Sequence, residues 1–73
     1  MFTYIVPILC KNIVLITTND NLNALKFYQK RGFDLSRLYL NAVDEARKIK
    51  PDIPLSGNDG IPLHHEIELE KRL

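Results

Sequence analysis

Apolar and polar positions alternate along this chain in blocks that name their own elements. Residues 13 to 18, IVLITT, are apolar or β-branched on both parities, the pattern of a strand covered on both faces. Polar turn-formers follow, and Thr18, Asn19, Asp20 and Asn21 all carry side-chain oxygens able to accept from the first turn of a helix. Leu22, Ala24, Leu25 and the pair Phe27-Tyr28 then recur at three- and four-residue spacing, which predicts an amphipathic helix over about 21–31. Lys30 and Arg31 suit the C-terminal end of its dipole. Gly32 can adopt the left-handed conformation that stops it, and Phe33 can fold back on its stripe.

Further along, residues 33 to 40 begin by alternating and then turn apolar, a second strand whose register the pattern leaves open. Asn41 stands as cap of a shorter helix over 42–49, with Ala42, Val43, Ala46 and Ile49 on one side and Pro51 as its stop. Residues 51 to 62 read as a loop, with a turn at Asn58-Asp59-Gly60. Residues 64 to 72 alternate again, placing His65, Ile67, Leu69 and Lys71 on one face and Glu66, Glu68 and Glu70 on the other. That predicts a half-buried strand with a solvated acidic face. Residues 2 to 9 are apolar, and Pro7 restricts them to an edge strand or an irregular segment that turns at Lys11-Asn12. The result is one α/β (α+β) domain.

One block carries a resemblance. Asn21, Ala24, Tyr28, Gly32 and Phe33, spaced N-x-x-A-x-x-x-Y-x-x-x-G-F after an apolar strand, are similar to the second half of the acyl-CoA site in the GNAT superfamily of N-acetyltransferases. The resemblance extends more loosely over residues 12 to 73. It implies a fold in which the last strand lies antiparallel between the first two. It also implies acetyl-CoA as cosubstrate and an unidentified amine as acceptor. Tyr28 would donate the proton to the departing CoA thiolate, and Asn21 and Ala24 would lie against the cofactor. From periodicity alone, Tyr28 is a core aromatic, Asn21 a helix cap and Ala24 a helix former. Asn19 and Asn23 repeat the Asn21 case more weakly.

The GNAT pattern also expects an earlier loop of the Q/R-x-x-G-x-G/A type, whose backbone N–H groups hold the CoA pyrophosphate. Residues 1 to 12 contain no such loop. The chain is therefore expected to be the C-terminal half of such a domain with a divergent start, inactive alone. The alternative is a small non-enzymatic interaction module that has lost cofactor binding. Half a sheet would leave the outer side of strand 13–18 open, to be covered by residues 2 to 9 or by a homodimer.

Composition narrows the partners. With 73 residues the chain makes a single domain of modest core. A formal net charge of +1 gives no basis for a nucleic-acid or anionic-membrane partner. The apolar start is too short for a membrane span and lacks the leading positive charge of a signal peptide, so a cytoplasmic chain is expected. The single Cys10 excludes an internal disulfide, and it forms no metal site with His64 and His65, which as neighbours on a strand point to opposite faces. Those histidines read as a solvated strand start. Arg31, Arg37 and Arg47 form no run and receive no site.

Overall fold

A computed structural model describes residues 12–72 and, before them, the backbone of residues 3–7. In chain order the elements are β1 (Thr3–Pro7), β2 (Asn12–Thr18), α1 (Leu22–Lys30), β3 (Asp34–Tyr39), α2 (Ala42–Ile49) and β4 (Glu66–Arg72). The strands form one sheet in the order β1-β2-β4-β3, every neighbouring pair antiparallel. The last strand thus lies between β2 and β3, as the resemblance implied. The three expected strands and both helices are present, with most ends shifted by no more than a residue or two.

The outer side of β2 is covered by β1, which places Thr3 opposite Thr17 and Pro7 opposite Ile13. Pro7 ends an edge strand, where a missing N–H is tolerated. Asn12, expected in a turn, is the first residue of β2. Phe2, Ile8, Leu9, Cys10 and Lys11, the remainder of the expected apolar segment and turn, lie outside the described residues. No helix among the described residues is long and apolar enough to cross a membrane.

The pairing of β2 with β4 sorts the sheet into two faces. Leu15 faces Leu69 and Thr17 faces Ile67, while Val14, Ile16 and Thr18 face Glu70, Glu68 and Glu66. On the first face Leu15, Thr17 and Leu69 are at most 1% exposed. Helix α1 crosses that face, tied to it by Asn21 Nδ2 donating to Thr17 Oγ1 over 3.1 Å. On the second face, α2 lies at the end where β2 stops and β4 starts. Val43 N–H donates to the carbonyl of His64 over 2.9 Å, and Val43 and Leu63 are buried.

Strand β3 carries a bulge between Leu35 and Arg37. The extra residue is Ser36, so Leu35 and Leu38 face Leu69 and Ile67 while Arg37 and Tyr39 face Glu68 and Glu66. A bulge shifts side-chain parity by one, which is why strict alternation could not assign this strand's faces.

Candidate functional site

The N-terminus of α1 is assembled by the residues that precede it. Asn21 Oδ1 accepts from Ala24 N–H over 3.2 Å, satisfying one of the orphan donors of the first turn. Its Nδ2 is at the same time held by Thr17. Asn21 therefore joins the end of β2 to the start of α1, and Ala24 is bonded to it directly. Four residues beyond Ala24, on the same side of the helix, Tyr28 is half-buried. Its ring lies edge-to-face between Phe27, with centroids 5.1 Å apart, and Phe33, at 5.3 Å. Among the described residues its hydroxyl has no hydrogen-bond partner.

The stop of α1 fixes that aromatic stack. Gly32 has φ +92°, its N–H donates to the carbonyl of Gln29, and Phe33 N–H donates to the carbonyl of Tyr28. These are the paired bonds of a Schellman ending, and the left-handed residue they need is glycine. They bring Phe33 back over Tyr28. Asn21 and Tyr28 remain about 10 Å apart along the axis, from seven residues at 1.5 Å rise. The three residues singled out from the sequence thus share one helix; two of them are bonded and the third stands two turns away.

Residues between β2 and α1 perform work that the sequence alone did not assign. Asp20 is fully buried. Its Oδ1 accepts from Thr18 Oγ1 over 2.5 Å and its Oδ2 from Asn58 N–H over 2.8 Å. Burial raises the Asp20 pKa, but the lowering contributions, the Thr18 and Asn58 bonds first among them, together outweigh it and hold the carboxyl below its ordinary range. Gly57 is what lets the loop approach, since a Cβ there would sit 2.0 Å from Asp20 Oδ2. Asn19, expected as a weaker Asn21, is a junction instead. Its Oδ1 accepts from both His64 N–H and His65 N–H at 3.0 Å, and its Nδ2 donates to the Pro62 carbonyl at 2.9 Å.

Two expectations are corrected here. The face of Glu66, Glu68 and Glu70 is half-buried rather than solvated. Ser36 Oγ and Tyr39 OH donate to the two oxygens of Glu68 over 2.6 and 2.7 Å, and Asn12 Nδ2 donates to Glu70 over 2.8 Å. The Ser36 and then the Tyr39 bond lower the pKa of Glu68, while the hydrogen bond to Glu68 raises that of Tyr39. Asn41 occupies the cap position of α2 but has φ +60° and makes no side-chain cap bond. Its N–H donates to His65 Nδ1 over 2.9 Å instead.

Arg47 and the histidines, which received no site from the sequence, make structural bonds. Arg47 donates to the carbonyls of Ile53, Pro54 and Leu63 and pairs with Asp44 Oδ1 at 2.8 Å. His64 Nδ1 lies 3.0 Å from both Asp44 oxygens. The His64 contact, and then Arg47, keep the Asp44 carboxyl below its ordinary range. Both histidines precede β4 and His64 is exposed, as a solvated strand start requires, and each ring is also engaged. The pieces joined by Arg47 lie six to sixteen residues away, and only a folded loop reveals them.

Comparison with known proteins gives two Bacillus subtilis (strain 168) relatives. The uncharacterized protein YxbD is 59% identical over 63 residues, which are 86% of this chain and 40% of YxbD. The uncharacterized protein YdhI is 50% identical over 62 residues, 85% of this chain and 39% of YdhI. The chain thus spans about two-fifths of the length of these relatives. No family model matches, and no solved structure matches.

Proposed function

We propose that this chain carries the C-terminal part of an acyl-CoA-dependent N-acetyltransferase domain, which transfers acetyl from acetyl-CoA to an amine. The observation that carries the reading is a combination. An apolar strand ends in an Asn-capped helix, the helix ends in Gly32-Phe33 stacked on Tyr28, and β4 lies antiparallel between β2 and β3. The sequence motif and the strand order are separate features, and the GNAT resemblance implies both.

In this reading the amine nitrogen attacks the thioester carbonyl, the C–S bond breaks, the leaving sulfur takes a proton, and the proton lost by the nitrogen passes to solvent, from which the donor is restored. Tyr28 is the donor. Its hydroxyl has no partner among the described residues, while its ring is held between Phe27 and Phe33, so the group is positioned yet unspent. Asn21 acts through α1 by fixing the start of the helix against Thr17, and Ala24 keeps the surface beside the cap small. The chain's glycines, Gly32, Gly57 and Gly60, lie in the helix stop and the 51–62 loop. In this reading the residues toward the acyl end of acetyl-CoA lie here, and the pyrophosphate has no Gly-rich cradle among the described residues.

The test uses a chimera in which the matched 63 residues of YxbD are replaced by those of this chain. With acetyl-CoA and a panel of primary amines, thiol release is expected, and Tyr28→Phe lowers turnover by about 10²- to 10⁴-fold. Acetyl-CoA affinity changes little, because the hydroxyl acts when the sulfur becomes charged. An unchanged rate in Tyr28→Phe returns Tyr28 to a packing role.

A second reading is favoured by one observation. On edge strand β3, Leu35 and Leu38 are 53% and 59% exposed, an apolar edge of the kind that recruits a protein partner. A non-enzymatic interaction module predicts concentration-dependent association of the chain that Leu38→Lys abolishes, together with no acetyl transfer by the chimera.

A further inference from the structure

Beneath α2, against the second face of the sheet, lies a half-open cavity of about 340 Å³. Its walls are apolar, built from Val43, Ala46, Ile53 and Leu63. That volume and that lining are those of small-ligand sites, which add a few placed polar groups to an apolar surface. Here the charged groups are Glu66 and Lys50.

Glu66 differs from its neighbours on β4. Glu68 and Glu70 are bonded by Ser36, Tyr39 and Asn12, whereas Glu66 is half-buried and has no partner among the described residues. A carboxylate beside an apolar wall with no donor of its own is open to charge-assisted hydrogen bonds from an ammonium group. Lys50 follows the far end of α2, about 12 Å from Ala42 by eight residues of helical rise. It also lacks a partner among the described residues. Its positive charge disfavours a second ammonium at that end and tolerates a neutral or anionic one.

We propose that this cavity binds an aliphatic primary monoamine, its ammonium on Glu66 and its hydrocarbon chain against Val43, Ala46, Ile53 and Leu63. Thr18 lines the cavity three residues before Asn21, so the site opens at the same end of β2 as the capped helix. As the acceptor of acetyl transfer this ligand rests on the reading above; as a ligand it does not. Diamines and polyamines are discriminated against by Lys50.

The experiment titrates the chain, without acetyl-CoA, with butylamine, pentylamine, hexylamine, 1,6-diaminohexane and hexanol, following backbone amide resonances. Shifts centred on Val43, Ala46 and Leu63 are expected. Affinity should rise about fourfold per added methylene, with hexylamine ahead of both diaminohexane and hexanol. Glu66→Gln should weaken hexylamine by about tenfold or more and leave hexanol unchanged. Ala46→Leu, which fills the cavity while keeping the helix, should abolish binding of all five. Equal binding of hexanol and hexylamine, or hexylamine binding insensitive to Ala46→Leu, overturns the proposal. The two readings separate in the chimera. Amines that fill the cavity but are never acetylated sink the acetyltransferase and leave the site standing. Acetylation of an amine with no effect of Ala46→Leu sinks the site alone.

Discussion

Gly57→Ala offers a sharp test of how the loop is anchored. A Cβ at position 57 would lie 2.0 Å from Asp20 Oδ2 and 2.6 Å from Cγ, so one partner must move by more than 1 Å. The carboxylate can swing away only by giving up Asn58 N–H, now at 2.8 Å, and Asp20 is fully buried. Hydrogen bonds to a charged group contribute about 1.5–3 kcal/mol each. Gly57→Ala should therefore cost about 3 kcal/mol, and Asp20→Ala at least as much, because it ends this interaction and the Thr18 bond as well. In the Asp20→Ala background the remaining close contact is with Cβ at 3.3 Å. The added methyl then costs about nothing, since alanine also stiffens the unfolded chain by about 0.4–1 kcal/mol. A double-mutant cycle in urea, read by far-ultraviolet circular dichroism, should show a coupling of about 3 kcal/mol. Against a total stability of roughly 4–11 kcal/mol for a chain of this length, that is easily measured. Additive single effects would refute the anchoring argument.

Two further outcomes follow from the same contacts. Arg47→Met keeps the aliphatic stem but removes the donors to the Ile53, Pro54 and Leu63 carbonyls; amide exchange should accelerate across residues 53–63 before it does in β2, and uniform acceleration would count against a local role for Arg47. For pH, the carboxyls of Asp20, Asp44 and Glu68 all have lowered folded pKa values, so their contribution is present above the ordinary carboxylate range near ~4 and is lost as pH falls through the folded values. Tyr39 is raised, so its contribution is present below pH ~10 and is lost as pH rises through the folded value. Thermal midpoints should fall on both sides of that window. Glu68→Gln should shrink the acid-side fall and bring the Tyr39 titration back toward an ordinary phenol; an unaltered Tyr39 titration would contradict the bond.

The parts that local chemistry dictates were readable from the residues. Asn21 as cap and Gly32 as stop delimit α1 because both act within four residues of themselves. The same locality makes the Tyr28–Phe33 stack legible. The insertion of β4 between β2 and β3 is not a local property, and only the GNAT resemblance implied it. The alternation of Glu66, Glu68 and Glu70 showed that they share a face, but alternation says nothing about what lies over that face. Here α2 covers one end, and Ser36 and Tyr39, the former set by a bulge, reach the middle. Asp20 and Gly57 meet across 37 positions of chain, and no pattern within a single element encodes such a contact. The unpaired state of Glu66 is likewise visible only once its neighbours' partners are known.

The acetyltransferase reading is tested most directly by calorimetric titration of acetyl-CoA into the folded YxbD chimera carrying this chain's matched residues. The account predicts saturable one-to-one binding that is retained in Tyr28→Phe and weakened in Asn21→Ala, whose lost cap frees the start of α1. A folded chimera that gives no binding heat with acetyl-CoA would contradict it.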